Sequence, residues 1–461
     1  MALTVVEQPS PLLRHKKPDD DLPPPPAVAV TPCDPWPRPY YLENGLRRVA
    51  PYHFTYNTWC KERWRGRELL EVFEDEFRDR PVEYYRQCML TGAIQINGKP
   101  VASPSQILKN GDLVSHTTHR HEPPVTAEPV AIVHESEDLL VINKPAGVPV
   151  HPAGRYRFNS VVEILRNERG SGFDPLPCNR LDRLTSGIMF IAKHKDAAMR
   201  MTQQLTDRTV RKEYVCRVKG EFPSEEVICE QPILQISPKL GLNRVRANGK
   251  TARTVFERLA YYPPATATTD VDPSTGRRRD GYSIVFARPL TGRTHQIRVH
   301  LQYLSHPIAN DPIYSNQRVF GPDLGAWSTS ASDDETIMER LGRMGKTEAA
   351  MATAWHDEMV DEYNKKKAEK LSGEVCDVCG TELYTDPDER ELGIWLHARR
   401  YECKDGTWGY ETGLPRWALA PEGQGEKASV VGGEEVVMGA RVLGNLETVM
   451  EKATLEGEKE E

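Results

Sequence analysis

The period of the apolar positions changes several times along this chain, and each change marks an element. Leu69, Leu70, Phe73 and Phe77 recur at helical spacing with charged residues between them, which predicts an amphipathic helix. A second short helix is predicted over residues 83–90. Ala93-Ile94-Gln95-Ile96 then alternates as a strand and runs into Asn97-Gly98, a dipeptide suited to the left-handed positions of a tight hairpin. Further strands are predicted at 132–134, 139–142, 252–260 and 282–289. Ser160 stands where it can cap a helix containing Val161, Val162, Ile164 and Leu165. The unbroken run Ile188-Met189-Phe190-Ile191-Ala192 reads as a buried strand, and Ala197, Ala198, Met201 and Leu205 form the core face of the next helix. In 214–218 the period is two: Tyr214, Cys216 and Val218 share one face, with Glu213, Arg217 and Lys219 on the other. The tyrosine therefore points into the core or a pocket floor. Many strands with a few helices predict an α+β fold around a mixed, mainly antiparallel sheet.

Composition divides the chain. Its 461 residues suggest two or three domains. Residues 1–50 are Pro-rich without apolar periodicity and read as a disordered tail. A small unit spans 55–120, and Pro123-Pro124 and Pro129 mark a linker. A larger domain runs from 130 to 315 with C-terminal elements to about 420. Residues 316–372 read as a polar, helix-prone insertion, 266–280 as an Arg-rich loop, and 420–461 as a second disordered tail. No apolar run approaches the roughly 20 residues of a membrane span, so no membrane partner is expected, and a monomer is. The acidic, Pro-rich start does not resemble a secretory or a clean mitochondrial leader, and the nine cysteines are odd in number. Reduced thiols in the cytoplasm are expected, with nucleus and mitochondrion also open.

Charge is uneven. The net charge is −7, yet residues 131–320 hold 28 Lys and Arg against 19 Asp and Glu. A basic region inside an acidic chain favours a phosphate-bearing partner. Within it lies Asn179-Arg180-Leu181-Asp182-Arg183-Leu184-Thr185-Ser186-Gly187, a carboxylate between two guanidinium groups. Taken alone, Asp182 reads first as a structural ion-pair partner of Arg180 or Arg183, since surface ion pairs are common. No Walker A loop or dinucleotide fingerprint occurs, so no nucleotide cofactor is expected.

Three ordered stretches decide the matter: the one around Asp182, Lys212-Glu213-Tyr214-Val215-Cys216-Arg217-Val218-Lys219-Gly220, and Gly292-Arg293-Thr294-His295-Gln296-Ile297-Arg298-Val299-His300-Leu301 with Pro307-Ile308-Ala309-Asn310-Asp311 behind it. Together with Asn143-Lys144-Pro145-Ala146-Gly147 they resemble the core motifs of the RluA-type RNA pseudouridine synthases over roughly 131–315. Asn179, Cys216 and Asn310 depart from the usual His, Ala and Gly, and none removes a reacting group. The resemblance implies the bent sheet of that fold and isomerisation of uridine to pseudouridine in RNA. It implies Asp182 as the catalytic carboxylate, Arg293 as its ion-pair partner, and Tyr214 as the ring that packs on the uracil and moves a proton. Arg180, Arg183, Thr185, Lys144 and Ile297 would line the substrate side, with Thr294, His295, Gln296, Arg298 and His300 as weaker candidates. A non-catalytic RNA-binding protein of the same fold is the alternative, as is a synthase acting on rRNA or mRNA.

The 55–120 unit resembles the S4-like RNA-binding domain that many such enzymes carry, with Lys61, Arg63, Arg65, Arg67, Arg78 and Arg80 available to phosphate. The C-terminal stretch from 373 to 417 resembles that of fungal-type members modifying tRNA, which implies tRNA and anticodon-loop position 32. Cys376-Asp377-Val378-Cys379 there, with His397 and Cys403, offers a possible structural zinc site. Otherwise no cofactor is expected.

Overall fold

The computed structural model describes residues 37–77, 81–237, 240–264, 281–343, 371–388 and 391–420. The loop at 266–280, the tail from 421, the first 36 residues and positions 344–370 of the insertion lie outside the described residues. The chain divides into two compact units, one holding Tyr52–Arg120 and the other Cys33–Pro51 with the chain from His121 onward.

In the first unit, strand Tyr52–Trp59 pairs antiparallel along its whole length with Leu113–Arg120, which also carries Ile94–Ile96. Helices Leu69–Glu76 and Val82–Leu90 bury Leu69, Val72, Phe73, Tyr85 and Met89 against Ile94, Ile96 and Val114. Asn97 and Gly98 take φ of 53° and 72°, and Ile96 faces Lys99 across the predicted hairpin. Two of the expected phosphate-facing arginines are already engaged. Arg63 donates to Glu76 at 2.6 Å, and Arg67 bonds Glu71 at 2.8 Å and Asp75. Arg78 and Arg80 lie outside the described residues.

In the second unit the expected tail is shorter than 1–50. Tyr41–Glu43 and Leu46–Arg48 form a hairpin that continues onto Val125–Thr126. Its turn is Asn44-Gly45, with φ of 52° and 72°. The chemistry that makes Asn97-Gly98 a turn operates here too, and Leu46 is buried.

The main sheet contains β1 (Ala131–Glu135), β2 (Leu139–Lys144), β3 (Ser186–Ala192), β4 (Val210–Lys219), β5 (Val227–Cys229), β6 (Thr254–Tyr262), β7 (Tyr282–Pro289) and β8 (Leu396–Cys403). Their order is β5-β6-β7-β4-β8-β3-β2-β1. Every pair is antiparallel except β3 with β8. The sheet is therefore mixed and mainly antiparallel, as predicted. Its seam is a late one, because β8 comes from a stretch that reads as a compact tail. Gly187 makes the β3–β8 contact possible: its φ is 115°, and a Cβ there would stand 2.2 Å from the Ala398 carbonyl oxygen.

Helices cover the sheet where their periodicity requires. Helix α1 (Val161–Arg169) sets Val161, Ile164 and Leu165 on Leu140, Ile142 and Met189. Ser160 occupies its N-cap position, but the hydroxyl donates back to the Arg157 carbonyl at 2.7 Å instead of capping. Helix α2 (Lys195–Thr206) buries Ala197 and Met201 against Val141, Ile188 and Phe190. Helix α3 (Gln296–Tyr303) buries Ile297 and Leu301 among Cys216, Val218, Phe256 and Val285. Each fully buried large side chain contributes about 1.5–3 kcal/mol.

The described part of the insertion is not detached. Ile337 and Leu341 of helix Asp334–Arg343 pack on Leu242, Val245 and Val299. Beneath them Arg244 and Arg246, 2% and 3% exposed, bond Asp334, and Arg244 also bonds Asp333 at 2.9 Å. Among the described residues no helix is long and apolar enough to cross a membrane.

Candidate active site

The loop that leads into β3 is held at both ends. The Phe190 amide donates to Asn179 Oδ1 at 2.9 Å, and the Thr185 amide to the Asp182 carbonyl at 3.1 Å. Asn179 thus does structural work that its hydrogen-bonding capacity explains. Between these ties the Asp182 side chain keeps 34% of its exposure, so one edge of the carboxylate is open to a ligand.

The other edge meets α3. Arg298 Nη1 donates to Asp182 Oδ2 at 2.9 Å. The same guanidinium grips Asp311 through Nε at 2.6 Å and Nη2 at 3.0 Å, and Asp311 Oδ1 also accepts the Ile313 and Tyr314 amides. This bidentate grip fixes the fork, so its third nitrogen is aimed at Asp182 without freedom to turn away. His295 Nε2 stands 3.5 Å from the same Asp182 oxygen, and its Nδ1 is 2.9 Å from the Tyr314 hydroxyl. His295 has a left-handed φ of 58° at the start of α3, a conformation that costs about 1–3 kcal/mol and that these two contacts hold in place.

Electrostatics follow from the geometry. Burial pushes the Asp182 carboxyl up, but His295 and Arg298 outweigh it and hold the group below the usual carboxylate range. Asp311 is likewise held low, against its burial, by Arg298 and the two amides. Lys144 is fully buried, and its Nζ donates to the carbonyls of Pro145 and Val148 at 2.8 Å and of Arg183 at 3.2 Å. Burial pushes its amine down to about 7 against the pull of Asp182.

Tyr214 follows a register shift in β4 opposite β8 and packs against the core cluster containing Ile297 and Leu396. Its hydroxyl bonds that of Tyr401 on β8. Burial pushes it up to about 12; the Tyr401 bond opposes this and the Asp182 charge adds to it. Tyr214 therefore keeps its proton at neutral pH and lies within the field of Asp182.

The remaining candidates divide. Arg180 is exposed, and among the described residues its guanidinium makes no hydrogen bond or ion pair. Arg183 lies over the Tyr156 ring at 5.4 Å and reaches the Gly147 carbonyl at 3.4 Å. Thr185 is buried, its hydroxyl without a partner among the described residues, and Ile297 belongs to the core cluster against which Tyr214 packs.

Two expectations are corrected. The guanidinium paired with Asp182 is that of Arg298, not Arg293. Arg293 precedes the helix, and its Nε donates to the Thr251 carbonyl at 2.9 Å. Arg298 sits one turn inside, on the face that α3 buries. A charged residue flanked by Ile297 and Val299 on a buried face carried that signal, and so did Asp311 behind it. Tyr314 and Tyr401 had no comparable signal, being aromatic residues in stretches without a motif. Second, His397 and Cys403 do not join Cys376 and Cys379. Both His397 nitrogens are engaged, Nδ1 with Ser186 at 2.8 Å and Nε2 with Thr412 at 2.6 Å, and burial pushes the ring down to about 4. Cys403 is buried at the end of β8.

The family described as RNA pseudouridylate synthase matches residues 138–303. The "tRNA pseudouridine(32) synthase, mitochondrial" of Saccharomyces cerevisiae is 46% identical over 82% of this chain and 78% of its own. The mouse pseudouridylate synthase RPUSD2 is 40% identical over 82% of this chain and 72% of its own. The "tRNA pseudouridine(31) synthase" of the same yeast is 33% identical over 82% and 96%.

Proposed function

The chain belongs to the RNA pseudouridylate synthase family and is a pseudouridine synthase, and on that premise we propose that it acts on tRNA, at uridine 32 of the anticodon loop, with Asp182 as the catalytic carboxylate. The single observation that carries the assignment of Asp182 is its setting: held ionised, clamped by Arg298, partly exposed, and close enough for its charge to act on Tyr214. The tRNA reading is supported by the two yeast relatives whose names specify tRNA. The higher identity of the one named for position 32 favours that position over 31.

The chemistry needs one carboxylate and no activated water. As the N1–C1′ bond opens, its electron pair leaves with the uracil and C1′ becomes positive. Asp182 meets that charge by attack or by electrostatic stabilisation. The uracil turns, C5 bonds to C1′, the C5 proton leaves and N1 gains one. Tyr214, which keeps its proton, supplies a ring face for the turning base, so we assign it packing and hydrogen bonding and not the role of a phenolate base. Arg180, exposed and without a partner among the described residues, is assigned the gap left by a flipped base. Flipping costs a few kcal/mol and less in a loop than in a duplex, which suits the anticodon loop. The helix–helix–strand unit within Tyr52–Arg120 is assigned as an S4-like RNA contact. The excess of Lys and Arg over 131–320 would hold the phosphates.

The test is incubation of the purified protein with tRNA from a strain lacking its own position-32 synthase, followed by carbodiimide-stop mapping. A new stop at 32 is the expected result. A stop at 31 alone would overturn the position, and an unmodified product would overturn the tRNA substrate.

A further inference from the structure

The C-x-x-C segment is not absorbed by the catalytic reading. It lies at the tip of a hairpin formed by Leu371–Val375 and Glu382–Tyr384, with Leu371 facing Tyr384 and Val375 facing Glu382. The turn is closed by the Gly380 amide on the Cys376 carbonyl at 2.8 Å and the Cys376 amide on the Thr381 carbonyl at 2.9 Å, and Gly380 supplies the positive φ of 66°. The amides of Cys379 and Val378 are directed at the Cys376 sulfur. His121 Nε2 stands 3.3 Å from Cys379 Sγ, although the two residues are far apart in sequence. The donor atoms of His121, Cys376 and Cys379 all lie within 4.8 Å of one another.

We infer that His121, Cys376 and Cys379 are ligands of a structural zinc ion. A Zn–S bond of about 2.3 Å and tetrahedral angles put neighbouring donors about 3.8 Å apart. The observed spacing therefore needs only a small adjustment to close around the ion. Two thiolates and imidazole nitrogen are donors of the softness zinc selects. His121, Cys376 and Cys379 share no residue with the cluster around Asp182, so the ion is structural and takes no part in isomerisation. Its effect is to tie the hairpin to the segment that enters the sheet-bearing unit, closing a long loop that is otherwise costly to order.

The rival use of a C-x-x-C turn is a dithiol–disulfide pair, and the experiment separates the two. The full chain is produced in zinc-supplemented medium, purified under reducing conditions without chelator, and its metal counted by mass spectrometry. About one zinc per chain is expected, falling at least tenfold in the double variant Cys376→Ser/Cys379→Ser and severalfold in His121→Ala. If the double variant does not fold, cobalt(II) added to metal-stripped wild-type protein decides, because thiolate ligation gives a sulfur-to-cobalt absorption band. Reduced wild-type protein that retains no zinc and shows no such band overturns the proposal. So does a metal content that the serine variant leaves unchanged. Turnover on tRNA measured below the melting temperature is expected to survive the serine substitutions. Loss of the metal and loss of the synthase reading are thus told apart.

Discussion

Replacing Asp182 with asparagine keeps the shape of the side chain and removes its charge. The Arg298 fork is still neutralised by Asp311, so no buried cation is left alone. The variant exchanges a charge-assisted hydrogen bond for a neutral one, a loss of about 1 kcal/mol. Asp182 is a third exposed, and part of that loss returns as relief from desolvation. The melting temperature should therefore move by only about 2–4 °C. Turnover should behave differently. A unit negative charge about 4 Å from a developing positive charge at C1′ is worth about 4 kcal/mol at an effective dielectric of 20. Electrostatics alone then predicts a fall of about a thousandfold, and loss of a nucleophile would deepen it. Single-turnover pseudouridine formation, RNA affinity by filter binding, and thermal unfolding are measured on the same preparation. The expected pattern is affinity within about threefold of wild type, near-native melting and rate loss of a thousandfold or more. A rate within about tenfold of wild type would refute the role given to this carboxylate.

Three further outcomes are expected. Arg298→Met strands the buried Asp311 and should destabilise by about 3–5 kcal/mol in denaturant titration, whereas Arg293→Met should cost under about 1 kcal/mol; equal effects would contradict the pairing described here. Lys144 has a folded pKa near 7, below its usual 10.5, so between those values the unfolded chain binds the extra proton. Its contribution is fully present above the unfolded pKa and is lost as pH falls toward 7, at about 1.4 kcal/mol per pH unit. Lys144→Met should remove that slope in unfolding curves recorded from pH 7 to pH 10, and an unchanged slope would count against it. Asp334→Ala should destabilise by about 3 kcal/mol by leaving the buried Arg246 with only the looser Asp333 pair at 3.8 Å, with a smaller effect from the half-buried Asp333→Ala.

What the sequence disclosed depended on how local the determining physics was. Periodicity located the strands around Phe190 and Tyr214 and the α2 core face, because burial on one side writes itself into alternation. The carboxylate was legible because the residues around Asp182 form a contiguous motif. Its partner was misplaced because Arg293 and Arg298 share one motif, and only the start of α3 decides which of them faces inward. The strands before Tyr52 were missed although Asn44-Gly45 announced a turn, since their surroundings are rich in proline. The His121 contact with the C-x-x-C turn was invisible, as nothing local couples positions so far apart.

The placement of β8 reaches into biosynthesis. Ribosomes deliver β1 to β3 early and β4 to β7 next, yet the strand that joins these two blocks emerges only after Leu396 has left the exit tunnel. Until then β3 and β4 present bare edges to the cell, the kind of surface on which strands of other chains add. A nascent enzyme of this design must wait, half-zipped, and its yield should be sensitive to how fast the codons that separate β7 from β8 are read.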